Sequence, residues 1–149
     1  METGTGQDGW GIGMDLAATG AKVARDENEL SRVILDAAFR VHSALGPGLL
    51  ESAYEACLAY ELRSAGLKSQ TQVPMPLLYR DVTLEVGYRL DILVEDLVVI
   101  ELKAVEALGP IHHAQLLCYL KLSRKKLGLL INFNEVSLKH GIKRLVNNL

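Results

Sequence analysis

The stretch Gly87–Val105, GYRLDILVEDLVVIELKAV, decides how this chain is read. It divides into two strands joined by a short turn at Glu95-Asp96. In the second strand Val98, Ile100 and Leu102 point one way, and Leu97, Val99 and Val105 the other. A strand apolar on both faces belongs inside a covered sheet. Glu101 and Lys103 interrupt it and, being two apart, project from the same face. A carboxylate and an ammonium in such a strand are costly unless paired, hydrated or bound to metal. Asp91, in the preceding strand, adds a second carboxylate close by.

The spacing makes a geometric demand. With a two-residue turn at Glu95-Asp96, Val94 faces Leu97, Asp91 faces Ile100 and Glu101 faces Leu90. The two carboxylates then lie on opposite sides of the sheet. One further residue in the turn, or one β-bulge, sets Asp91 opposite Glu101. A metal shared by these carboxylates therefore requires an irregular hairpin.

Working outward, the 149 residues suit one domain, expected over 26–149, preceded by a flexible glycine-rich tail over 1–25. Hydrophobic residues make up 49% and charged residues 23%, proportions that allow a buried core with a solvated surface. No apolar run approaches the roughly 20 residues that cross a bilayer, so no membrane partner is expected. No basic stretch precedes an apolar one at the N-terminus, so a secretory signal is not expected and a cytoplasmic location is. Cys57 and Cys118 both fall in predicted helices and read as buried, reduced thiols. A net charge of −2 excludes a uniformly basic nucleic-acid coat and leaves only a local patch for that purpose. In the tail, Gly9-Trp-Gly11-Ile-Gly13 lacks the preceding strand of a nucleotide loop, and Met14 is an alternative start.

Upstream, Leu30, Val33, Ile34, Ala37, Ala38, Val41 and Leu45 form a helical stripe over Glu27–Leu45, opened by a capping box of Asp26 and Glu29. Gly46-Pro47-Gly48 stops this helix. A second runs over about Leu50–Ala65 and closes at Gly66. Thr71–Tyr79 reads as one strand whose Pro74 and Pro76 remove donors from the same side, which fits an edge strand beside the Asp91 strand. Arg80-Asp81 then turns directly into the strand carrying Asp91. Downstream, Gly109-Pro110 precedes a helix over Ile111–Leu122, Leu127–Phe133 is another buried strand, and Val136–Val146 reads equally as strand or helix. The order α-α-β-β-β-α-β indicates an α/β layer arrangement with a mixed sheet.

Asp91 followed by Glu101-Leu102-Lys103 resembles the D…ExK core of the PD-(D/E)XK nuclease superfamily. Gly48-Leu-Leu-Glu51-Ser-Ala-Tyr54 resembles the motif of the GxxExxY family within it. Gly87-Tyr-Arg89-Leu-Asp91, Gln115-Leu-Leu-Cys-Tyr119-Leu-Lys121 and Gly128–Phe133 are similar to the same family, so the likeness spans about Leu30–Val146. It implies a restriction-endonuclease-like α-β-β-β-α-β core in which Asp91 and Glu101 hold Mg²⁺, with Mn²⁺ as a possible substitute. It also implies that Lys103 positions water or offsets transition-state charge, and that Glu51 is a further ligand. Gln115 and Tyr119 would orient substrate or the metal shell. The implied activity is metal-dependent hydrolysis of phosphodiester bonds in nucleic acid, DNA before RNA; a silent module that binds nucleic acid or a partner is the alternative.

Each residue also has a structural reading. Glu51 complements the dipole of the second helix. Asp91, Glu101 and Lys103 form a buried ion network. Arg89 either neutralises those carboxylates or meets phosphate, and Tyr54 belongs either to the core or to the site. Gln115 and Tyr119 line a half-buried helix face, and His112 and His113 face solvent rather than metal. Lys121, Arg124, Lys125 and Lys126 either complement the end of their helix or form a phosphate-binding patch.

Overall fold

The computed structural model describes residues 25–149; the glycine-rich stretch with Gly9–Gly13 and Met14 lies outside them. Helix α1 (Glu27–Leu45) starts where Asp26 accepts from the Glu29 amide at 2.8 Å and Glu29 accepts in return from the Asp26 amide. This is the reciprocal cap expected from the sequence. Gly46 and Gly48, at φ +70° and +104°, make the turn into helix α2 (Glu51–Ser64). Helix α3 (Pro110–Ser123) begins on a proline in its first turn. Among the described residues, no helix is long and apolar enough to cross a membrane.

Five strands form the main sheet: β1 (Ser69–Pro74), β4 (Arg89–Val94), β5 (Val98–Lys103), β6 (Leu127–Asn132) and β7 (Ile142–Val146). Their order is β1-β4-β5-β6-β7, with β5 and β6 parallel and the other pairs antiparallel. Helix α3 makes the crossover between the parallel pair, as such a pair requires. One face of the sheet packs Ile92, Val94, Val98, Ile100 and Leu102 against α1 and α2. The other packs Leu93, Val99 and Leu130 against Leu116, Tyr119 and Leu120 of α3. Gly128 lets α3 come close, because a Cβ there would lie 3.1 Å from the Leu116 side chain.

The segment read as one strand over Thr71–Tyr79 is two. Strand β1 pairs on one side only, with β4, in keeping with Pro74 at its end. Past Pro76 the chain leaves the main sheet as β2 (Leu77–Tyr79), which pairs with β3 (Val82–Leu84) in a separate hairpin. Arg80-Asp81 does turn the chain, but into β3; the Asp91 strand begins only after Gly87 at φ +85°. The ambiguous C-terminal segment is a 3-10 turn (Leu138–Gly141) followed by β7. The cysteines are free thiols, yet Cys57 is half-buried, packed at the edge of the α1/α2 core, and Cys118 is exposed.

The β4–β5 hairpin has the irregularity that its charges demand. Glu95 and Asp96 both adopt left-handed backbone (φ +52° and +58°), and the Leu97 amide donates to the Val94 carbonyl at 2.9 Å. Leu97 is nevertheless left over, so Val94 pairs with Val98, Leu93 with Val99 and Ile92 with Ile100. One added residue reverses the parity of β5 relative to β4. Continued by one step, this register sets Asp91 opposite Glu101.

Candidate active site

At Asp91 the backbone ladder gives way to side chains. The Asp91 amide donates to Glu101 Oε1 at 3.2 Å, and the Leu102 amide donates to Asp91 Oδ2 at 2.9 Å. Each carboxylate thus lies in the gap between β4 and β5 and takes the place of a ladder carbonyl. Glu101 is only 4% exposed. Burial first, then the Asp91 charge, push its carboxyl up to about 8. Asp91 is also raised, chiefly by burial, against the lowering effects of the Leu102 amide and the Lys103 charge. Two buried carboxylates this close cannot both ionise cheaply, so without a cation the pair retains a proton near neutral pH.

The β1–β4 register explains how Asp91 reaches this gap. Ile92 packs with the α1/α2 layer, whereas Leu90, two residues earlier, packs with the α3 layer. In β1, Thr71 borders the α2 side, whereas Val73 and Met75 join the α3 layer. Both strands therefore change faces together, at Asp91 and at Gln72. Thr71 pairs with Ile92 and Val73 with Leu90 across this point. Gln72 holds left-handed backbone (φ +54°), which is costly for a residue with a Cβ.

Glu51, in the first turn of α2, accepts from the Ala104 amide at 3.3 Å, immediately after Lys103. It therefore faces the end of β5, and Asp91 senses its charge. Its place depends on Tyr54, whose hydroxyl donates to the Gly46 carbonyl and accepts from the Leu49 amide at 3.2 Å. The Tyr54 ring is fully buried and stacks on Phe133 at 4.6 Å. Of its two readings the core one holds: Tyr54 shapes the loop before Glu51 and offers no surface to substrate. The far end of β5 is fixed by Asn132, fully buried, which accepts from the Val105 amide and donates to its carbonyl.

From the opposite layer, Gln115 Nε2 donates to the Tyr119 hydroxyl at 3.1 Å. Tyr119 also meets Tyr88 at 6.0 Å, and its hydroxyl is pushed up by burial and then by the Glu101 charge. Gln115 is exposed at the mouth of the site. Arg89 is not beside the carboxylates; its guanidinium reaches the Gln72 carbonyl at 3.4 Å. His112 accepts from the Gly109 amide at 2.9 Å and caps α3, while His113 is exposed.

The basic cluster lies elsewhere. Lys125 pairs with Asp96 at 3.1 Å, at the start of β5. Asp96 lies in the turn, five positions before Glu101, at most about 16 Å along the chain. Lys121 and Arg124, with Lys126, Asn147 and Asn148, line a separate cavity of about 350 Å³. The helix brings Gln115 and Tyr119 to the carboxylates but carries its last turn away from them.

Two residues of this neighbourhood were not singled out from the sequence: Glu55 and Gln72. Gln72 Nε2 donates to Glu55 Oε1 at 2.9 Å. Glu55 is raised by burial first, and senses Asp91 and Glu51. Both border a cavity of about 470 Å³ between α2 and β1, with Ser52, Arg63 and Thr71. The four-residue step from Glu51 to Glu55 puts both on one helix face and was the available signal; nothing local marks Gln72.

The model of the PD-(D/E)XK nuclease superfamily matches residues 28–145. The chain belongs to that superfamily. The match covers α1 through β7, and the five-stranded mixed sheet between helices is consistent with a restriction-endonuclease-like fold. Comparison with curated proteins and with solved structures found no match. Membership supports a nuclease acting on nucleic acid, and nucleases of this superfamily typically use divalent metal ions.

The donor set suits such an ion. Asp91 and Glu101 supply hard oxygen donors, and a dication would relieve the repulsion that holds a proton on the pair. Among the described residues no three His, Cys, Asp or Glu side chains converge as a ready-made cage. Mg²⁺ does not need one, since it is usually held by one or two carboxylates, waters and substrate phosphate.

Proposed function

We propose that this protein is a Mg²⁺-dependent nuclease of the GxxExxY type that hydrolyses phosphodiester bonds in nucleic acid, DNA before RNA. The observation that carries the reading is the exchange between Asp91 and Glu101 across the opened ladder. A folded chain gains little from two buried carboxylates side by side unless a cation joins them.

In this reading Asp91 and Glu101 hold the ion, and Glu51 contributes from the edge, directly or through water. A bound Mg²⁺ would make water more acidic and offset charge at the scissile phosphate. The Lys103 ammonium, on the Glu101 side of β5, stabilises negative charge as it grows on the phosphate oxygens and orients the attacking water. Gln115 and Tyr119 offer an amide and a hydroxyl to substrate from the α3 side. Arg89, exposed beside β1, is available to a phosphate of the same strand. Lys121 and Arg124 line a separate cavity and suit a flanking stretch of nucleic acid. Lys125 is engaged by Asp96.

The test is cleavage of single- and double-stranded DNA and RNA with Mg²⁺, Mn²⁺ or EDTA, comparing wild type with Glu101→Gln. Metal-dependent cleavage lost in the variant is the expected result. Retained nucleic-acid binding with no cleavage in any metal would favour the silent binding module instead.

A further inference from the structure

We propose that Gln72 is a positioning residue for Asp91, holding it at the face change of β1 and β4 while Glu55 anchors the far side of the amide. The inference rests on the reading of Asp91 as a metal ligand and adds two residues to that site.

Three observations carry it. First, Gln72 is a non-glycine residue at φ +54° inside a strand, where left-handed backbone costs free energy and neighbours such as Thr71 and Val73 are ordinarily paired. Strain of this kind persists where the surroundings require it, and it clusters at functional sites. Second, the strained residue lies across from Asp91, at the one step where both strands exchange faces. Ordinary alternation would send the Asp91 side chain squarely to the Val99 side of the sheet; the paired switch leaves it in the gap where it meets the Leu102 amide. Third, the Gln72 amide donates to Glu55 at 2.9 Å, which fixes the side chain on the α2 side of β1.

The amide group has two N–H donors, so one side chain can serve both carboxylates. Glu55 fixes the amide plane by accepting one of them. Anchored in this way, Gln72 keeps β1, and with it the Asp91 strand, in the switched register without touching substrate. Glutamine also reaches farther than asparagine, the residue that tolerates left-handed backbone better. The choice of the less tolerant residue therefore points to reach.

The test uses Gln72→Gly, Gln72→Asn, Glu55→Gln and Glu55→Ala in the full chain. Glycine relieves the left-handed backbone, so the metal-free melting temperature of Gln72→Gly should be unchanged within about 2 °C, or higher. Its Mn²⁺ affinity, read by titration of the metal alone, should fall about 10-fold, the scale of an outer-shell contact. Its kcat should fall with KM nearly unchanged. Gln72→Asn should behave like Gln72→Gly, because it keeps the backbone and loses the reach. Glu55→Gln keeps an acceptor for the amide and should retain near wild-type affinity, whereas Glu55→Ala should not.

Equal Mn²⁺ affinity in wild type and Gln72→Gly overturns the inference and leaves the nuclease reading standing. So does a Glu55→Gln loss as large as that of Glu55→Ala, which would make Glu55 a ligand by charge. A wild type that neither binds Mn²⁺ nor cleaves overturns the nuclease reading, and this inference with it.

Discussion

Asp91→Asn separates a cation site from a structural ion network. In the metal-free protein Glu101 keeps its proton up to about pH 8, whereas the unfolded chain loses it near 4.5. Between these values the folded state binds more protons, so stability must fall as pH rises through the window. Each pH unit is worth about 1.4 kcal/mol, which sets a ceiling of about 5 kcal/mol across it. Burial is the larger cause and remains after the substitution; the Asp91 charge is the second and is removed. Asparagine still accepts from the Leu102 amide and can donate to Glu101. The variant should therefore be more stable than wild type at pH 8.5 by about 1–2 kcal/mol, or roughly 3–6 °C in melting temperature. At pH 5 the two should nearly coincide. The assay is thermal or urea unfolding in EDTA at both pH values, repeated with Mg²⁺, which should stabilise wild type and not the variant. Destabilisation of Asp91→Asn by about 3 kcal/mol or more at pH 8.5, as when a buried ion pair is broken, would refute the reasoning.

Three further outcomes follow from the same geometry. Lys103→Ala should lower turnover by about 10²-fold or more while Mg²⁺ still binds, because the ammonium acts on charge that develops in the reaction; single-turnover cleavage beside a metal titration checks this. Tyr54→Phe keeps the ring on Phe133 and loses the two loop bonds, so unfolding should show a loss of about 1–2 kcal/mol. Its cleavage rate should fall toward that of Glu51→Gln, since the same loop sets Glu51. Replacing Lys121 and Arg124 together by alanine should reduce the salt dependence of DNA binding by about two phosphate contacts, read from binding across a salt series, with little change in the cleavage step.

The order of elements was legible because helical stripes and two-sided apolar strands impose their own periods. The hairpin was legible for a different reason. Asp91 and Glu101 cannot share a face across a regular two-residue turn, so a metal between them called for one further turn residue or a bulge, and the structure supplies it at Leu97. The break after Pro76 was missed because each proline was read only as a missing donor in a ladder. Their joint effect is to free Leu77–Leu84 as a hairpin of its own. Lys121–Lys126 was close to Gln115 in sequence, but the last two turns of α3 carry it to a separate cavity. Glu55 carried a helical spacing that ties it to Glu51. Gln72 carried no local signal, because its importance comes from the backbone it adopts and from the strand opposite it.

The central claim is that Asp91 and Glu101 together hold a divalent cation. Anomalous diffraction from crystals grown with Mn²⁺ locates such an ion directly. The account predicts a peak between β4 and β5, within about 2.0–2.3 Å of one oxygen from each carboxylate, as small hard cations require. A peak bound elsewhere, or none at saturating Mn²⁺ with both carboxylates still bonded only to the Leu102 and Asp91 amides, would contradict it.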